Sequence, residues 1–167
     1  MQTILGANGQ IGEELARELK QRYTADIRIV GRKPQKINDT DTLLAADLSV
    51  REQAVKGSEI AYFTLGLPMN TELWERQFPV IVQNVIEACT VHNVKLVFFD
   101  NTYMYPQRNQ VLTEKTPFEP VGRKGSVRKQ LAQIVLQAIE SGRIEGVTSA
   151  ALRNFMVRQK RRALPTP

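Results

Sequence analysis

Three glycines spaced three apart, Gly6, Gly9 and Gly12, constrain this chain more than any other feature. The apolar run Met1 to Leu5 before them reads as a strand, and Glu13-Glu14-Leu15-Ala16-Arg17-Glu18-Leu19 after them reads as an amphipathic helix. A glycine turn between a buried strand and a helix lets the backbone come close to a dinucleotide pyrophosphate. Gly6 permits the tight turn, Gly9 leaves room for phosphate, and Gly12 lets the helix lie against the sheet. The helix N-terminus adds free N–H groups and a partial positive charge. Gly6, Asn8, Gly9, Gln10, Ile11 and Gly12 are therefore expected to cradle a dinucleotide.

Short apolar runs alternate with helical periods along the rest of the chain, which predicts a doubly wound parallel α/β sheet, the Rossmann arrangement. Strand two, Ile27 to Val30, ends in Gly31-Arg32-Lys33-Pro34. About 20 positions past such a glycine loop the chain faces the adenosine ribose, where an acid accepts the 2′-hydroxyl of NAD and an arginine accommodates the 2′-phosphate of NADP. Arg32 stands there with Lys33 beside it and no acid at the strand end, so NADP is the preferred cofactor and NAD the alternative. Leu43 to Ala46 reads as strand three, closed by Asp47-Leu48, and Ser49 to Lys56 fits a short helix with Ser49 and Glu52 at capping-box spacing. Ile60 to Leu65 reads as strand four and runs into Gly66-Leu67-Pro68; its carboxyl end should lie near the middle of a bound cofactor. Thr71 caps a long helix through about His92, in which Pro79 predicts a kink or a break. Lys95 to Phe99 is strand five, Lys124 to Glu140 a helix stopped by Gly142, and Val147 to Leu152 strand six.

A length of 167 residues with 42% hydrophobic and 24% charged residues suits one globular domain. No apolar run reaches the ~18 residues of a membrane span and no signal peptide precedes strand one, so a cytoplasmic protein with no membrane partner is expected. Cys89 and His92 are the single cysteine and histidine, which excludes a disulfide framework and a Cys/His zinc cluster, and no metal site is expected. Cys89 sits in an apolar helical pattern and reads as a buried structural thiol. Arg158, Lys160, Arg161 and Arg162 supply four of the six surplus positive charges. With no nucleic-acid-binding motif beside them, a nucleic-acid partner is not expected.

Gly6-x-x-Gly9-x-x-Gly12, Ala46-Asp47-Leu48, the helix carrying Asn84-Val85-Ile86-Glu87-Ala88, a Tyr at the exit of strand five, and Thr113-Glu114-x-Thr116-Pro117-x-x-Pro120 together resemble the extended short-chain dehydrogenase/reductases, the NAD-dependent epimerase/dehydratase family. The resemblance runs over nearly all of residues 2 to 155. It implies that Asp47 and Leu48 border the adenine and that Leu65 and Gly66 border the nicotinamide-side ribose. It also implies redox or epimerase chemistry on a carbonyl or hydroxyl substrate such as a nucleotide sugar, and a homodimer face on the helices containing Asn84 and Leu131. The family's Tyr-x-x-x-Lys acid/base pair, however, reads Lys124-Gly125-Ser126-Val127-Arg128 here, and its serine position is Asn101 with Thr102 next to it. An arginine can hold a ribose or a phosphate but stays protonated and relays no proton. Arg128 is thus a cofactor-binding candidate, and Thr102, Tyr103, Tyr105 and Lys124 are the acid/base candidates. The alternative is a dinucleotide-sensing or partner-binding domain without turnover.

After Leu152-Arg153-Asn154-Phe155 the family pattern stops. Restoring one T after a TTT codon for Phe155 turns the codons of Met156 and Val157 into Tyr and Gly, the family's continuation. The expectation is a frame shift at Phe155: residues 1–155 form the cofactor domain, 156–167 a basic tail, and the substrate domain is largely missing. A selected nucleic-acid or membrane-surface patch is the rival reading of the tail.

Overall fold

In a computed structural model of the chain, residues 1–48, 53–108, 111–113 and 115–150 are described. The elements alternate as β1 (Gln2–Leu5), α1 (Gln10–Arg22), β2 (Ile27–Gly31), β3 (Thr42–Ala45), β4 (Ile60–Phe63), α2 (Thr71–His92), β5 (Lys95–Asp100), α3 (Gly122–Glu140) and β6 (Gly146–Ala150). All strand pairings are parallel, and the six-stranded order is β3-β2-β1-β4-β5-β6. The order reverses between β1 and β4, and such a switch point opens a crevice at the carboxyl ends of the two strands. The expected doubly wound sheet is the observed one.

Strand side chains alternate between the two faces, so β1, β2 and β4 feed two cores. Ile4, Ile27 and Ile29 pack with Ala16 and Leu19 of α1, whereas Leu5, Val30, Phe63 and Phe98 pack with the apolar faces of α2 and α3. Phe63 and Phe98 stack with ring centroids 4.9 Å apart at the centre of that second layer. Cys89 is buried in it, and loss of water pushes its thiol up to about 12.

Two local expectations are corrected. Helix α2 runs unbroken from Thr71 to His92 with Pro79 inside it, so the expected break does not occur. The proline removes one backbone hydrogen bond. Trp74, Phe78, Ile81, Val82, Val85 and Ile86 on the buried face hold the helix against the sheet on both sides of it. The short helix expected over Ser49–Lys56 does not form where it is described, since 53–57 is turn; residues 49–52 lie outside the described residues, as does the tail from 151 onward.

Candidate functional site

The glycine loop links β1 to α1 and packs against the chain leaving β4. Gly6 has φ +85°, a left-handed conformation that side chains rarely adopt, and a β-carbon there would fall 2.6 Å from the Cα of Leu65 at the end of β4. A β-carbon on Gly12 would lie 2.5 Å from the Cα of Ala7. Those two glycines are demanded by the packing of α1 and β4 against β1. Gly9 differs: its β-carbon would meet nothing closer than the Gly6 carbonyl at 3.9 Å. Gly9 is also the N-cap of α1 and supplies no side-chain hydrogen bond to the first turn. Open space over an uncapped helix start, with Gln10, Ile11 and Gly12 contributing the next backbone N–H groups, fits a phosphate.

Two side chains brace this loop. The Asn8 amide donates to the Lys33 carbonyl at 2.8 Å, tying the loop to the turn after β2. Thr64 donates from its hydroxyl to the Leu5 carbonyl at 3.1 Å, tying β4 to β1. Beside the loop lies a recess of about 230 Å³ lined by Gly31, Arg32, Ala46, Asp47, Leu48, Leu65, Leu67, Arg76, Gln77, Val80 and Ile81. The carboxyl ends of β2, β3 and β4 thus bring Arg32, Asp47, Leu48 and Leu65 to one place, with α2 as the far wall. Gly66 is exposed, with open space where a β-carbon would stand. Sequence reasoning missed Arg76 and Gln77. Their signal was the helical spacing that puts them on one face with Val80 and Ile81.

The positions matching the family's acid/base pair are occupied differently. Arg128 is buried in α3, with its guanidinium carbon 4.4 Å from the Phe78 ring centre and 4.9 Å from that of Trp74. Its Nη1 lies 3.4 Å from Oδ1 of Asp100, the last residue of β5. Burial pushes the Asp100 carboxyl up to about 6, against the nearby Arg128 charge and the Asn101 amide that pull it down. Burial likewise lowers Arg128, against the carboxylate of Asp100. Both shifts point the same way: desolvation outweighs the attraction of the pair. Lys124 donates to the Met69 carbonyl at 3.3 Å, and its ammonium stands 5.4 Å from the centre of the Trp74 ring. Trp74 itself stacks on Tyr103 and donates from its indole N–H to the Pro68 carbonyl at 2.8 Å. Tyr105 meets Phe118 edge-on, and Thr102 accepts the Tyr105 amide through its carbonyl.

A family of NAD(P)H-binding domains matches residues 6–108. No curated protein matches the sequence significantly. Among solved structures, the fold is similar to that of MoeE5 in complex with UDP-glucose and NAD, at 22% identity and a TM-score of 0.74 over 89% of this chain and 52% of that one. It is similar to a UDP-galactose 4-epimerase at 16% identity and a TM-score of 0.75, over 96% of this chain and 63% of that one. Uronate dehydrogenase from Agrobacterium tumefaciens matches at 18% identity with a TM-score of 0.73, over 87% of this chain and 57% of that one. At these identities the likeness is one of fold, and the chain spans between about half and two thirds of the length of these structures.

Proposed function

The chain belongs to the NAD(P)H-binding family, and from that premise we propose that it binds NADP(H) along the carboxyl edge of the sheet. The reading rests above all on the recess beside the glycine loop, where Arg32 rather than an acid stands at the end of β2. Gly9 and the first turn of α1 hold the pyrophosphate, Asp47 and Leu48 border the adenine, and Leu65 and Gly66 face the ribose beyond. When bound, the dinucleotide supplies a hydride donor or acceptor at its nicotinamide. The residues of this chain bind and orient it.

The parent activity we propose is redox or epimerase chemistry on a carbonyl or hydroxyl of a nucleotide sugar, with Thr102, Tyr105 and Lys124 as acid/base candidates. Its support is the fold shared with proteins whose structures hold UDP-sugars and NAD. A homodimer through α2 and α3, and a cytoplasmic location, belong to the same proposal; no helix among the described residues is long and apolar enough to cross a membrane.

A second reading, dinucleotide binding without turnover, is favoured by one specific observation. The arginine that replaces the family's lysine is engaged with Asp100 and two aromatic rings, and the lysine that replaces its tyrosine is bonded to Met69. Calorimetric titration with NADPH and then NADH tests the binding, and NADPH oxidation with a panel of nucleotide-sugar carbonyl substrates separates the two readings. Tighter NADPH binding that weakens in Arg32→Asp is the expected result, and binding of neither dinucleotide overturns the proposal.

A further inference from the structure

Resting on the dinucleotide reading, we infer that Arg76 is a second reader of the ligand's 2′-phosphate, reaching the same recess from α2 that Arg32 reaches from β2.

Arg76 forms no ion pair with the partner its own helix offers, among the described residues. Glu72 stands one helical turn before it, the spacing at which Arg17 pairs with Glu13 at 3.5 Å and Arg22 with Glu18 at 2.8 Å in α1. Among the described residues no ion pair joins Glu72 and Arg76. The adjacent Glu75 is held by Arg123, at 2.8 and 2.6 Å. Arg76 instead lines the recess with Gln77 and Val80. Arg32 likewise pairs with no carboxylate among the described residues.

Two arginines therefore line one small recess whose other walls include Leu65 and Leu67, with Asp47 as the single carboxylate among its lining residues. Two positive side chains at one recess make it attractive to an anion. The planar guanidinium fork suits a phosphate, to which it donates two parallel hydrogen bonds. Apolar walls for a base and two arginines for a phosphate describe an adenosine carrying a phosphate on its ribose. Arg76 is thus a specificity-determining residue rather than a catalytic one.

The test titrates the full chain with 2′,5′-ADP and with 5′-ADP, then with NADPH and NADH, in the wild type, Arg76→Gln, Arg76→Lys and the Arg32→Gln/Arg76→Gln double variant. Arg76→Gln is expected to weaken 2′,5′-ADP by about tenfold or more while 5′-ADP stays within about twofold, the size expected for one charge-assisted contact. Arg76→Lys should restore part of the loss, and the double variant should bind the two fragments equally. Equal weakening of both fragments by Arg76→Gln, or weakening of neither, overturns the inference. A wild type that binds NADH as tightly as NADPH overturns it while leaving dinucleotide binding intact, and a wild type that binds neither overturns both. Circular dichroism of each variant confirms that the exposed substitution leaves the fold in place.

Discussion

Asp100 and Arg128 meet at the carboxyl end of β5, Oδ1 to Nη1 at 3.4 Å, with side chains only 3% and 8% exposed. Among the described residues, their pairing leaves Oδ2 of Asp100 and Nε of Arg128 without a hydrogen-bond partner. A buried pair that incomplete is poorly repaid for its desolvation, and the two aromatic faces of Trp74 and Phe78 supply what the carboxylate does not.

The two halves of the pair are expected to respond unequally to removal. Because burial of the Asp100 carboxylate outweighs its attraction to Arg128, the neutral Asp100→Asn should be at least as stable as the wild type at pH 7. Arg128→Met removes the one charge that favours the buried carboxylate, so the Asp100 carboxyl should titrate still higher in that variant. The double substitution Asp100→Asn/Arg128→Met leaves no buried charge and should be at least as stable as either single variant. Urea unfolding of the four proteins at pH 7 measures this, and an Asp100→Asn clearly less stable than the wild type would refute the expectation.

The carboxyl of Asp100 also sets a pH dependence. Burial raises it in the folded state from the ordinary 3.8 to about 6, so folding favours the protonated form. Its contribution to stability is fully present below pH 3.8 and is lost as pH rises through about 6. Between those limits stability should fall by roughly 1 kcal/mol per pH unit relative to Asp100→Asn. Thermal melts of both proteins from pH 4 to pH 7 check the sign. Parallel curves would mean that Asp100 titrates as an ordinary surface carboxylate.

The glycines should separate stability from binding. Gly6→Ala and Gly12→Ala each force a β-carbon into backbone at 2.6 and 2.5 Å, and should destabilise by about 2 kcal/mol or more. Gly9→Ala meets open space, so its stability should stay within about 0.5 kcal/mol of the wild type while dinucleotide affinity falls at least about tenfold. Titration and melting of the three variants side by side test this. Unchanged affinity in a stable Gly9→Ala would count against the phosphate cradle.

Lys124 tests the acid/base question. Its ammonium is engaged by Met69 and Trp74. Should a carbonyl substrate be turned over with Lys124 as its proton relay, Lys124→Ala is expected to lower kcat by about 10²–10⁴-fold. A change of less than about threefold would remove Lys124 from the chemistry and favour the reading without turnover.

The legible part of this protein is the part written in local geometry. Three glycines between an apolar strand and an amphipathic helix announce their turn, because backbone approach and positive φ are properties of the residues themselves. Short apolar runs alternating with helical periods announced the six strands and the three long helices found among the described residues. The short helix expected at Ser49–Lys56 failed where it is described: a capping-box spacing is a weak local signal, and 53–57 packs Ala54 and Val55 into the core as turn instead.

By itself, then, the sequence determined the α/β alternation, the glycine loop and the arginine at the end of β2, each specified within a few neighbouring residues. Only the tertiary structure decided that α2 continues past Pro79, that Arg76 lines the recess beside Arg32, and that Arg128 turns inward to Asp100. Those outcomes depend on how α2 and α3 pack against the sheet and each other. Packing joins residues tens of positions apart, such as Asp100, Arg128 and Trp74, through contacts that no local period encodes.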